Sequence, residues 1–128
     1  AGLKQAFQKH LGETEQQIKR LDEVFGLLGE KAKGSTCPAI DGILKEAKKL
    51  MRDLEDPDAL DAGMIAAAQA VEHYEFTRYG TLASWARTLG HTDAVALLEA
   101  SRDEEIGADV KLTKLAEAWV NRQAAAAA

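Results

Sequence analysis

The chain has 128 residues, of which 46% are hydrophobic and 29% charged. That is an ordinary globular balance and excludes a disordered tail. With 16 basic against 21 acidic residues the net charge is −5, so neither a nucleic-acid footprint nor attraction to an anionic membrane surface is expected. The single cysteine, Cys37, cannot close an internal disulfide. Together with the lack of a signal-peptide pattern or an apolar run long enough to span a bilayer, it points to a cytoplasmic protein.

Strong helix formers dominate and strand formers are sparse, so the expected class is all-α. The first helix is read from about Gly2 to Leu28. Its apolar positions Leu3, Phe7, Leu21, Val24 and Leu28 keep the rhythm of one helical face. Glycines between Gly29 and Gly34 stop it. Ser35 or Thr36 is expected to cap the second helix, with Pro38 in its first turn. Ile40, Ile43, Leu44, Ala47, Leu50, Met51 and Leu54 form that helix's stripe. Asp56-Pro57 repeats the pattern at the start of a third helix, which runs to Leu89 and is ended by Gly90. Thr92 is expected to cap the fourth, from Asp93 to Gln123. Residues 1–123 thus read as one domain. Ala124 to Ala128 form a tail that is either a frayed helix end or a run of unidentified side chains. Three helices would be ~40–50 Å long at ~1.5 Å per residue, and the second is a short connector. Short loops favour antiparallel neighbours, hence a bundle.

The chemical signal is an interruption repeated in three apolar seams. On the first helix the seam through positions 3, 7, 10, 14, 17, 21, 24 and 28 turns polar at His10, Thr14 and Gln17, with Glu13 on its flank. On the third helix the line through Met64, Ala68, Val71, Leu82, Ala86 and Leu89 is broken by Glu72, Glu75 and Tyr79, which lie within ~60° of one another. On the fourth, Leu98, Leu112, Ala116 and Trp119 are interrupted by Glu105 and Asp109. Each break falls near mid-helix, so packing would bring Glu13, Glu72, Glu75, Glu105 and Asp109 to one level. Buried carboxylates without partners cost several kcal/mol. Either they share protons and basic partners, or a polyvalent cation sits among them. Oxygen donors at this density suit Fe or Mn, and less often Mg or Ca. Facing carboxylates in a bundle core are the way dinuclear sites of this kind are built.

Other residues take secondary roles. His10 is read as supporting the ligands by hydrogen bonding Glu13, with ligation as the alternative. Gln17 is balanced between ligand and support, and Gln69 reads as a hydrogen-bonding residue. Tyr79 reads as a buried phenol bonded to a carboxylate; a proton or electron relay beside a metal, hence a catalytic role, is the alternative. His73 is assigned to packing or an interface, and His91 to a helix start. Cys37 reads as an inert thiol. Gly80 and Gly107 each cost ~1 kcal/mol in a helix interior, which close helix approach or room at the site would explain.

The segment Ala66-Ala67-Ala68-Gln69-Ala70-Val71-Glu72-His73-Tyr74-Glu75, followed by Tyr79-Gly80-Thr81-Leu82-Ala83, resembles the signature of the YciF-type, ferritin-like stress-protein family. Two blocks agree with it. One is Phe7, His10-Leu11, Glu13-Thr14, Gln17 and Arg20-Leu21. The other is Glu104-Glu105, Asp109, Lys111-Leu112-Thr113 and Leu115-Ala116. The resemblance implies a ferritin-like antiparallel bundle related in architecture to rubrerythrin, a homodimer or higher homo-oligomer, and a dinuclear metal site. It also implies a further carboxylate-bearing helix ahead of Gly2, for which this chain has no counterpart. Where ferritin-like helices pair Glu with His, this chain offers Glu13 with Gln17 and Glu105 with Asp109; Glu72 and Glu75 resemble the rubrerythrin arrangement. Two functional classes follow. One is an Fe or Mn protein acting on peroxide or dioxygen in a stress response. The other is a non-catalytic helical stress protein, or a metal-sequestering one.

Overall fold

The structure, a computed structural model, describes residues 2–128. The described residues are helical almost throughout, in the order α1 (Gly2–Leu27), α2 (Pro38–Asp53), α3 (Pro57–Thr88), α4 (Thr92–Leu115), a π-helical turn (Ala116–Val120) and α5 (Asn121–Ala127). The all-α class and the pattern of three long rods plus one short helix hold. None of the described helices is long and apolar enough to cross a membrane.

The helix ends follow from local chemistry. Gly29 and Gly90 take positive φ, 70° and 81°. Each is the left-handed residue of a closing turn: Glu30 N donates to Phe25 O at 2.9 Å, and His91 N to Ala86 O at 2.9 Å. Asp56 caps α3, its Oδ1 accepting from Asp58 N at 3.0 Å and Ala59 N at 2.8 Å, with Pro57 in the first turn. Replacing Asp56 with Ala should cost about 1 kcal/mol, read as a lower urea midpoint; an unchanged midpoint would show that the cap contributes nothing.

Two caps differ from expectation. The residue before α2 is Cys37, which makes no side-chain cap bond; because Pro38 occupies the first helical position, the cap falls on its immediate predecessor and not on Ser35 or Thr36. Before α4 the cap position belongs to His91, and Thr92 is already helical. The closing turn of α3 uses His91 N, while His91 O accepts from Val95 N at 3.2 Å, so one residue ends one helix and starts the next. The fourth rod also carries a π-helical turn that periodicity did not foresee, and its helix continues through the alanine run to Ala127.

The tertiary arrangement has α4 at its centre. Leu3, Ile65, Leu112, Ala116 and Val120 form one buried cluster. Val24, Ala83, Ala94 and Leu98 form the other. The pairings show that α1 and α3 both run antiparallel to α4, and therefore parallel to each other, with α2 as the returning connector packed on α3. The buried line of α3 passes through Ile65, Glu72 and Ala83. Leu82 and Leu89, assigned to that line from periodicity, are exposed instead. A helix of 32 residues that packs on both α2 and α4 carries apolar residues on more than one side, so a single stripe does not describe it. With Leu11 and Ile18 of α1 and Trp85 of α3, these leucines leave apolar side chains uncovered.

Candidate metal centre

Between the two apolar clusters lies a polar layer. Its deepest members are Gln17 of α1 (2% exposed), Glu72 of α3 (2%), and Ser101 and Glu105 of α4 (1% and 0%). Each occupies a position that the helical repeat points inward, and the end clusters hold the three helices at matching height.

His10, Glu72, Glu75 and Glu105 converge, each offering one donor atom within 4.8 Å of the others. His10 Nε2 lies 3.0 Å from Glu72 Oε1 and 3.4 Å from Glu105 Oε2. Its Nδ1 lies 3.3 Å from Glu13 Oε2. Glu72 Oε2 and both oxygens of Glu105 are buried without a hydrogen-bond partner. Like charges this close oppose joint ionisation. Burial, and then neighbouring Glu72, push the Glu105 carboxyl up to about 9. Glu75 is raised by burial and by Glu72. Hydrogen bonding to Glu72 holds His10 protonated, raising it from 6.5 to about 9 despite burial. Without a metal, therefore, the layer is held together by protons: an imidazolium between carboxylates, and a neutral acid on α4.

A second polar group lies one turn away. Arg20 grips Glu104 with two bonds of 2.7 Å, and Gln17 Nε2 donates to Glu104 Oε2 at 3.2 Å. The Tyr79 hydroxyl donates to Gln17 Oε1 at 3.3 Å, so its partner is a carboxamide where a carboxylate was expected. Burial, reinforced by Glu75 and Glu105, raises the Tyr79 phenol to about 12. The Arg20 guanidinium keeps the Glu104 carboxyl low. Arg20 and Glu104 stand in the blocks that carry the family resemblance, but neither is assigned to the site from the sequence. The available signal was Arg20 lying three residues beyond Gln17, on the same face.

The placement of the expected residues is uneven. Glu72, Glu75 and Glu105 are together. Glu13 stands at the edge, paired with Lys9 and His10. Asp109 lies outside the group of four: its Oδ1 accepts from Gln69 Nε2 at 2.9 Å and lies 3.1 Å from His73 Nε2. Gln69 also donates to Thr113 Oγ1 at 2.8 Å, the hydrogen-bonding role expected of it. His10, assigned a supporting position, reaches the carboxylates directly. His73 packs against Phe76, with ring centroids 4.8 Å apart and the planes tilted by 51°. Cys37 Sγ lies 3.1 Å from the Tyr74 hydroxyl, tying the loop before α2 to α3.

The residues form a group that could hold a metal ion. One imidazole and several carboxylates form a suitable donor set, and three buried oxygens make no hydrogen bond.

Comparison with known proteins follows the same lines. A family model described as a domain of unknown function, DUF892, matches residues 1–125. The chain is 45% identical over 123 residues to Protein YciF of Escherichia coli (strain K12), covering 95% of this chain and 74% of that protein. The crystal structure of the E. coli stress protein YciF superimposes with a TM-score of 0.85, covering 91% of this chain and 74% of that one. YcfI from Rhodopseudomonas palustris superimposes equally well, TM-score 0.85, at 51% identity over 87% of this chain and 71% of that one.

Proposed function

The chain belongs to the DUF892 family of YciF-type proteins, and from that premise we propose that it is a metal-binding stress-response protein whose polar layer holds Fe or Mn. The observation that carries this reading is the set of three buried carboxylate oxygens that make no hydrogen bond, beside an imidazole and within reach of one another. His10, Glu72, Glu75 and Glu105 would hold the metal. Glu13, next to His10, is the further carboxylate that a dinuclear centre would draw on. The metal supplies redox chemistry toward peroxide or dioxygen when bound.

The chain's own residues do the rest. The end clusters flank the layer and fix the helices at one height. Glu72 and Glu105, on facing helices, restrict where a cation can sit. Gln17 and Tyr79 form a hydrogen-bonded floor, itself anchored by the Arg20–Glu104 pair. Tyr79, held neutral at any ordinary pH by burial, is placed to hold a proton near the centre. Self-association as a homodimer belongs to this reading, and the uncovered leucines and Trp85 support it.

A second reading is favoured by the position of His10. An imidazolium 3.0 Å from Glu72 already supplies positive charge to the layer, which would then be a register device in a non-catalytic stress protein. Titration of the metal-free protein with Fe(II) and Mn(II) decides between them. Saturable uptake at micromolar concentrations or below, lost in Glu72→Ala, is expected for a metal centre. No uptake of either ion would leave the structural reading. Uptake without peroxide consumption or iron oxidation would mark a storage protein.

A further inference from the structure

The polar layer holds more carboxylates than one cation needs, so their positions decide how many ions it takes. His10, Glu72, Glu75 and Glu105 each offer a donor atom within 4.8 Å of the others. Donors stand about 2.0–2.2 Å from a small divalent ion, so those on opposite sides of one ion are about 4.0–4.4 Å apart. The four atoms therefore need only a slight contraction to surround one ion. The ions of a dinuclear pair stand about 3.5–4 Å apart, which puts the outermost donors about 8 Å apart. A second ion would need donors of its own, and the two remaining carboxylates are engaged elsewhere. Asp109 Oδ1 accepts from Gln69 Nε2 at 2.9 Å and lies 3.1 Å from His73 Nε2. Glu13 is held on its own helix: Oε1 pairs with Lys9, and Oε2 lies 3.3 Å from His10 Nδ1.

Glu13 follows His10 by three residues, so the helix itself brings it beside the imidazole. It faces Nδ1, whereas Nε2 points at Glu72 and Glu105, at 3.0 and 3.4 Å. Both of these acids are buried, and neither oxygen of the fully buried Glu105 makes a hydrogen bond. A carboxylate behind a ligating histidine keeps a proton on the far nitrogen, leaves the near one free for metal and fixes the ring.

We propose that the layer takes a single metal ion per chain, held by His10, Glu72, Glu75 and Glu105, and that Glu13 is a positioning residue that holds the His10 ring and not a donor to a second ion. This rests on the metal-centre reading above and narrows it. On binding, the Nε2 proton leaves to solvent, while Nδ1 keeps its proton and donates it to Glu13.

The test is Mn(II) binding to the metal-free protein, read as ions per chain and as the EPR spectrum of the loaded protein. The parent is expected to take up one ion, with the hyperfine spacing of isolated Mn(II). Glu13→Leu should weaken binding about 10–100-fold with the stoichiometry unchanged. In Glu13→Gln the carboxamide oxygen still accepts from Nδ1–H but is a poor metal donor, so affinity should return to within about threefold of the parent. Asp109→Asn should leave both the count and the spectrum unchanged. Two ions per chain, or the halved spacing of a coupled pair, overturns the single-ion site while the metal reading stands. Glu13→Gln as weak as Glu13→Leu makes Glu13 a donor and overturns its positioning role, as does unweakened binding in Glu13→Leu. No uptake by the parent removes the metal reading, and this inference with it.

Discussion

Glu105→Leu is expected to abolish metal uptake while making the metal-free protein more stable. The carboxyl is completely buried, both its oxygens lack a hydrogen-bond partner, and it faces Glu72 in the same layer. A leucine of similar volume removes the cost of burying that group and continues the apolar run from Leu98 to Leu112. The gain should be about 1–3 kcal/mol in urea unfolding. Metal affinity should fall at least about 100-fold, since one of four donors is gone and altering groups merely behind a ligand costs about 10–100-fold. Glu105→Gln separates charge from shape: it should lose the metal with little change in stability. Undiminished uptake in Glu105→Leu would remove Glu105 from the donor set. A loss of stability would show that the acid holds the helices in register.

The second large effect is on pH. In the folded, metal-free protein His10 is raised from 6.5 to about 9. The stability from its pairing with Glu72 is complete below about 6.5 and is lost as pH rises through about 9. Glu105 is raised from 4.5 to about 9, so the folded state favours its neutral acid. That advantage is complete below about 4.5 and shrinks as pH rises toward 9. Glu104 works in the opposite sense. Held low by Arg20, it contributes above about 4.5 and loses that contribution as pH falls below it. The metal-free protein should therefore be most stable near about pH 4.5 and lose on the order of a few kcal/mol by pH 9. For a chain of this size that is a fall in melting temperature of about 5–10 °C, measurable by thermal melts in the presence of a chelator. A cation bound in the layer displaces the same protons, so metal affinity should increase over the interval in which metal-free stability declines. A melting temperature that is flat or rising from pH 6 to 9 would show that the layer is not held by protons.

Both predictions depend on groups that the sequence located only in part. The polar breaks in the three seams were legible because a helix fixes the angular position of its own residues. Glu72 and Glu105 were therefore assigned inward on local grounds alone, and both are buried. Angular position says less about height. Glu105 and Asp109 are one turn apart on α4, and only the packing of Leu112 against Leu3 and Ile65 sets which turn meets His10. Asp109 is left level with Gln69 and His73. The same offset moves His10 from a supporting position behind Glu13 to direct contact with Glu72. The cost of Gly80 and Gly107 could be read from the sequence, but the structure shows no close approach at either: a Cβ would stand 3.7 Å from Arg102 Cδ at Gly80 and meet nothing within 4 Å at Gly107.

Residue order alone determined the helices, their glycine and proline boundaries, the cap at Asp56 and the presence of an acidic layer between two apolar ends. These depend on interactions spanning about one helical turn, so neighbours in the chain suffice to specify them. Tertiary structure decided that α1 and α3 lie parallel across α4, that Arg20 clamps Glu104, and that His10 joins Glu72, Glu75 and Glu105. Those contacts join residues far apart in the chain, and their alignment is set by how the two end clusters close-pack.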